Sequence, residues 1–276
     1  MKALSVNNLK KVIAKRPENS HKGTFGRAVL IGGNEQYGGA IILSALAAIY
    51  AGTGLVTVIT DRKNHAPLHA RLPEAMAVDW LDTELIDSVL KSADVILIGP
   101  GLGLGLISQH LLIHVLESQT DKQWLIIDGS AITLFAEKDY PLNNPEQTIF
   151  TPHQREWETL SGLPLEQQTD KANQTAREML KASVVLKSHR TKIYTSKTIY
   201  KTPIGTAAMA TGGMGDTLAG IITGFIAQFP AKEEALCAAV YLHSLIGEDL
   251  SKTQYVVLPT SISEHLPIYM KQFEEK

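Results

Sequence analysis

The sequence predicts an α/β protein built on a mainly parallel sheet with helices on both faces. Short apolar runs recur at residues 28–31, 56–59, 95–98, 124–127, 148–150 and 184–186. They lack in-out alternation, as strands buried on both faces do. Between them, helical spacing recurs near residues 39–51, 83–91, 106–117 and 171–181, so strand and helix alternate as in a layered fold.

Each element has its own punctuation. The first strand ends in Gly32-Gly33, and Gly38-Gly39-Ala40 opens the first long helix. Residues 36–60 carry no charge, which raises a membrane span. The stretch breaks at Gly52-Thr53-Gly54, however, with small helix formers before and β-branched residues after. A buried helix followed by a buried strand fits better. After Lys187 the rhythm changes. Residues 192–195 and 198–201 form a hairpin pattern around Ser196-Lys197, and two apolar helices follow at 215–228 and 232–250. A short tail helix is expected after Pro259. Without repeats, low-complexity tracts or linkers, residues 1–276 read as one domain.

Composition narrows the function. The chain has 276 residues, 44% hydrophobic, and a formal net charge of -2. That excludes a broadly basic nucleic-acid surface, so any anion must be held by backbone amides and a few placed cations. The lone Cys237 lies in an apolar helical run, fits a reducing compartment and reads as a packed thiol. Lys2, Lys10, Lys11 and Lys15 interrupt any signal-peptide core, so a cytoplasmic protein is expected. The Asn173-Gln174-Thr175 sequon is a chance match in a helix.

The strongest local signal is Ala210-Thr211-Gly212-Gly213-Met214-Gly215-Asp216-Thr217, which runs into an apolar helix. Glycines let a backbone approach a ligand with no Cβ in the way. Free amides at a helix start, reinforced by its dipole, favour a phosphate or a developing anion. Asp216 there either caps the helix or acts as a general base for a hydroxyl attacking a phosphoryl group. A second loop, Ile98-Gly99-Pro100-Gly101-Leu102-Gly103, follows a strand. It is not the dinucleotide fingerprint, because Leu104 or Leu106 falls where the third glycine belongs. It is either a tight turn or a close approach to substrate. Gly38-Gly39-Ala40 likewise either admits a flat ligand or lets helix and strand pack. The absence of G-x-x-x-x-G-K-[ST] excludes a Walker-type enzyme.

Several pieces occur in order: His21-Lys22-Gly23-Thr24-Phe25-Gly26, Gly39-Ala40, Pro73-Glu74-Ala75-Met76, the Gly99–Gly103 loop, Thr151-Pro152-His153 with Glu156, Val184-Val185-Leu186-Lys187, the Gly212–Asp216 loop and His243. Together they resemble the NAD(P)H-hydrate dehydratase branch of the ribokinase-like superfamily, over about residues 20–250. The resemblance implies a ribokinase-like three-layer α/β/α fold with a mainly parallel central sheet. Members often carry an N-terminal epimerase domain, for which this chain has no room, so a stand-alone dehydratase is expected. The sequence departs from the family at Asp128-Gly129-Ser130 (commonly Asp-Ala-Gly), Gln154-Arg155 (Pro-Gly), Ser188 (Gly) and Met214 (Thr).

The resemblance further implies the S-form of NAD(P)H hydrate as substrate, ADP or ATP as co-substrate, and Mg²⁺. The nucleotide phosphorylates the hydroxyl beside the ring nitrogen, and phosphate then leaves where hydroxide could not. Asp216 would be catalytic, taking the hydroxyl proton and contacting substrate. Lys187, Ser188, His189, Arg190 and Thr191, with Gly212, Gly213 and Gly215, would hold the nucleotide. Ala40, Gly99, Gly101 and His153 would meet the nicotinamide side. Glu156 resembles the acidic residue that ribokinase-like enzymes place near magnesium. Each has a plainer role open to it: a strand-end lysine, a solvated turn arginine, a helix-capping histidine, a first-turn glutamate. Asp128, after a strand, either approaches the phosphates or caps the next helix. A homo-oligomer is the fold-level expectation.

A small-molecule kinase of the same fold, acting on a thiazole or hydroxymethylpyrimidine alcohol, shares the glycine loop, Asp216 and Glu156. The His21 and Thr151 segments favour the dehydratase. A nucleotide-binding regulator without catalysis would be expected to lack Asp216, which is present.

Overall fold

The strands form where β-branched and aliphatic residues run together, and the helices form where apolar residues recur at helical spacing. In this computed structural model, residues 1–138 and 140–274 are described. The first half comprises β1 (Lys2–Ala3), α1 (Val6–Lys10), β2 (Arg27–Ile31), α2 (Gly38–Tyr50), β3 (Leu55–Thr60), α3 (His65–Arg71), β4 (Met76–Asp79), α4 (Thr83–Lys91), β5 (Val95–Ile98) and α5 (Leu106–Ser118). The second comprises β6 (Trp124–Ile127), α6 (Ser130–Lys138), β7 (Thr148–Phe150), α7 (Gln154–Ser161), α8 (Asp170–Leu180), β8 (Ser183–Leu186), β9 (Lys192–Tyr194), β10 (Ile199–Lys201), α9 (Met214–Gln228), α10 (Lys232–Leu250) and α11 (Pro259–Phe273).

All ten strands join one sheet in the order β1-β10-β9-β8-β7-β6-β5-β2-β3-β4. From β2 the chain runs out through β3 and β4, then returns to the other side of β2 as β5 and continues to β8, every pair parallel. Only β9 is antiparallel to its neighbours, β8 and β10. The order therefore reverses between β2 and β5. Crevices beyond the carboxyl ends of strands at such a reversal are where ligands bind.

Both faces of the sheet are covered, as the unalternating strands predict. Ala28 and Leu30 of β2, with Val95 and Leu97 of β5, pack into the cluster that holds α2, α9, α10 and α11. The intervening Val29, Ile31, Ile96 and Ile98 pack against α4, α5 and α6. These eight side chains are at most 3% exposed. Full burial of each aliphatic side chain stabilises by about 1.5–3 kcal/mol before entropy is counted.

All six expected strands, the hairpin and the six longer helices are present. The structure adds β1, β4 and helices α1, α3, α6 and α7, and the tail helix α11 is fifteen residues long rather than short. α7 escaped a periodicity reading because Trp157 is its only buried residue. Asn173 of the sequon is a core residue: it accepts from Trp157 Nε1 at 2.8 Å and donates to the Tyr194 hydroxyl at 3.1 Å. Cys237 is 2% exposed, and burial pushes its thiol upward. Among the described residues no helix is long and apolar enough to cross a membrane.

Candidate active site

Three neighbouring strands each set one polar side chain just beyond their last residue. Asp128 follows β6, Thr151 follows β7 and Lys187 follows β8. One oxygen of Asp128, Oδ1, accepts from Thr151 Oγ1 at 2.6 Å and from Lys187 Nζ at 2.8 Å. Asp128 is 2% exposed. Burial alone would lower the Lys187 pKa, but Asp128, Glu156 and Asp216 together hold it above the ordinary lysine value.

Facing this cluster is the glycine loop. Gly213 adopts φ 90° as the residue before α9, a left-handed conformation that favours glycine. A Cβ placed on Gly215 would stand 3.2 Å from Lys187 Nζ, so the ammonium lies against the loop. At Gly212 and Gly39 a Cβ would meet nothing within 4 Å, leaving open space on both sides of the crevice. Asp216 sits in the first turn of α9, and its backbone carbonyl accepts from Ser44 Oγ of α2 at 2.9 Å. Burial pushes its carboxyl up to about 6, and the Asp128 charge adds to this while Lys187 opposes it. A carboxylate with that pKa can take a proton near neutrality.

Beside the loop opens a pocket of about 430 Å³. Of the residues expected to hold a nucleotide, Lys187, Ser188, His189, Thr191 and Gly215 line it. Gly212, Gly213 and Arg190 do not line it; Arg190 Nη1 donates to the Gly205 carbonyl at 3.3 Å, and Arg190 lines a different hollow with Met1 and Ala3. The pocket also takes in Thr206, Met209 and His243. His243 is buried, its Nε2 has no hydrogen-bond partner among the described residues, and burial lowers its pKa to about 4.

At the residues expected to meet substrate, the plainer roles are visible. His153 caps α7, with Nδ1 accepting from the Glu156 amide at 3.1 Å, while Glu156 Oε2 accepts from the His153 amide at 2.7 Å. Glu156 is thus both a capping residue and a member of the cluster around Lys187. Gly99 and Gly101 are required by packing: a Cβ would lie 1.7 Å from the Asp128 carbonyl oxygen and 2.3 Å from that of Tyr37. The second of these also stands 3.0 Å from Ala40, so this loop bridges Ala40 and the Asp128 turn. The His21 segment precedes β2 and lies at the amino ends of the strands, away from Asp216. The Asp128–Thr151–Lys187 constellation was not foreseen as a unit. Its signal was a polar residue directly after each of three buried strands.

A three-layer sandwich with a glycine-led helix, a half-buried carboxylate at its first turn and an adjoining pocket defines a ribokinase-like enzyme. The chain belongs to the NAD(P)H-hydrate dehydratase family, whose family model matches residues 28–268. It is 57% identical to the ADP-dependent (S)-NAD(P)H-hydrate dehydratase of Enterococcus faecalis, over 100% of this chain and 94% of that one. A crystal structure of a ribokinase-like superfamily protein from Enterococcus faecalis superimposes with a TM-score of 0.99 at 57% identity, covering 100% and 97% of the two chains. The ADP/ATP-dependent NAD(P)H-hydrate dehydratase of Bacillus subtilis, co-crystallised with ATP and Mg²⁺, gives a TM-score of 0.86 at 29% identity, covering 98% of each.

Proposed function

We propose that this protein restores NADH and NADPH from the S-form of their hydrates, with ADP as co-substrate. The observation that carries this is Asp216, a half-buried carboxylate pushed up to about 6, beside the open glycine loop and Lys187. Asp216 accepts the proton of the ring hydroxyl as the hydroxyl oxygen bonds to the terminal phosphorus of ADP, and the bond from that phosphorus to its bridging oxygen breaks, with AMP leaving. The loop amides and Lys187 take the negative charge of the transferred phosphoryl. The C–O bond then breaks, phosphate leaves with the electron pair, and loss of a proton from the adjacent ring carbon restores the double bond. ADP is favoured because relatives 44–57% identical are named ADP-dependent.

Magnesium fits as a partner of the nucleotide rather than of a protein cage. It prefers few carboxylates plus phosphate oxygens, and Glu156, 14% exposed at its side chain, can supply one. Bound there, it would neutralise phosphate charge. We also read residues 1–276 as a single dehydratase domain acting in the cytoplasm as a homo-oligomer. Exposed Leu81, Leu104 and Leu106 support the last point.

The test incubates the protein with Mg²⁺, ADP or ATP and either NADH hydrate or, in a parallel reaction, a thiazole or pyrimidine alcohol, following NADH absorbance and free phosphate. The expected result is nucleotide-dependent NADH recovery with kcat/KM falling below about pH 6, and at least about a 100-fold loss in Asp216→Asn. If phosphate instead remains on a thiazole or pyrimidine alcohol and no NADH returns, the protein is a kinase.

A further inference from the structure

We propose that Asp128 is a positioning residue for phosphoryl transfer: with Thr151 it holds the Lys187 ammonium against the glycine loop, where that ammonium meets the transferred phosphoryl group. This rests on the loop serving as the anion site of the proposed reaction.

The geometry gives Asp128 little else to do. Oδ1 accepts from two donors, Thr151 Oγ1 at 2.6 Å and Lys187 Nζ at 2.8 Å, so the carboxylate is locked and paired rather than available as a base. Lys187 is fixed at its backbone as well, where its amide donates to the Pro152 carbonyl at 2.8 Å. An ammonium has three N–H donors. Among the described residues Asp128 is the only hydrogen-bond acceptor on Nζ, which leaves two donors for an incoming anion. Those donors lie beside Gly215, since a Cβ there would come within 3.2 Å of Nζ. A buried ion pair is a poor device for stability, because well-packed apolar residues do as well. A cation pinned at one fixed point is a good device for a transition state, since its orientation is settled before the reaction begins.

The same carboxylate acts on Asp216. The charged groups that bear on Asp216 are Asp128 beyond β6, Glu156 of α7 and Lys187 beyond β8. Removing the Asp128 charge leaves Lys187 less opposed, so Asp216 should ionise at lower pH.

The experiment compares Asp128→Asn, Thr151→Val and Thr151→Ser with wild type in steady-state kinetics across pH, after thermal melts establish folding. For Asp128→Asn the expected result is a kcat lowered about 100-fold. The nucleotide KM should change by no more than about threefold, and the acid limb should move down by about one unit. Thr151→Val should lose about tenfold in kcat with Thr151→Ser restoring it, since it is the hydroxyl of Thr151, not its methyl, that donates to Asp128 Oδ1. A folded Asp128→Asn with near-wild-type kcat, or a loss with an unmoved acid limb, overturns the proposal. If Asp128→Asn does not fold, Thr151→Val decides: an unchanged kcat overturns it. Wild-type NADH recovery tests the dehydratase reading separately. Should wild type prove to be a kinase, the same variant ratios on that reaction still decide the role of Asp128.

Discussion

Burial drives Asp216 and His243 the same way, toward their neutral forms, and this has opposite consequences for stability. His243 has its pKa lowered to about 4 from 6.5, so the unfolded state binds its proton first. Its contribution to stability is complete above pH 6.5 and is lost as pH falls toward 4. Asp216 is raised to about 6 from 3.8, so here the native state binds the proton first, and stability rises as pH falls through that window. The two effects partly cancel between pH 4 and 6. His243→Gln should therefore be less acid-sensitive than wild type, by up to on the order of 3 kcal/mol at pH 4. Denaturant melts at pH 7 and pH 4 check this. An equal loss for both proteins would mean that His243 titrates normally in the fold.

At the level of elements, the placement of Asp216 is settled by how α9 packs on α2. Residues 217–226 of α9 are all buried. A Cβ on Gly220 would lie 2.2 Å from the Ser44 carbonyl oxygen, so the helices touch at backbone distance there. The hydroxyl of that same Ser44 donates to the Asp216 carbonyl. Gly220→Ala gains helix propensity, yet the clash is with rigid backbone and wins. It should cost about 1–3 kcal/mol in a urea melt and lower kcat, because α9 must shift and carry Asp216 with it. Unchanged stability would show that the two helices separate freely. α7 teaches a related lesson. His153 and Glu156 satisfy each other as a capping box, so side chains that the family resemblance assigned to ligands also hold the helix start that presents them.

For the whole molecule, the reversal of strand order between β2 and β5 brings into one crevice the start of α2 and the loop after β5. β6, β7 and β8, running on from β5, add Asp128, Thr151 and Lys187 at the same edge. Leucines stand in water on the outer surface. Leu81 is 65% exposed, Leu106 73% and Leu104 52%, and apolar residues left in water favour self-association. Light scattering should give a mass that is a multiple of 30.1 kDa, reduced by Leu106→Glu. A wild-type mass of one chain would sink the homo-oligomer.

The strands at 95–98, 124–127 and 148–150 were legible to the residue, because strands covered on both faces read as nearly unbroken apolar or β-branched runs. β4 and α7 were not, since an edge strand and a surface helix bury too little to leave a pattern. The glycine loop and Asp216 announced themselves locally, as a backbone that must approach an anion closely requires glycines in a row. The partners of Lys187 were hidden. Asp128 lies 59 residues away in sequence and Thr151 lies between them, and the register of three parallel strands alone sets them together. Likewise only packing showed that Arg190 is tied to the Gly205 carbonyl and that Gly99 and Gly101 are needed by their neighbours. Local chemistry is written in adjacent residues, whereas the meeting of distant charges depends on strand order, which no short stretch of chain encodes.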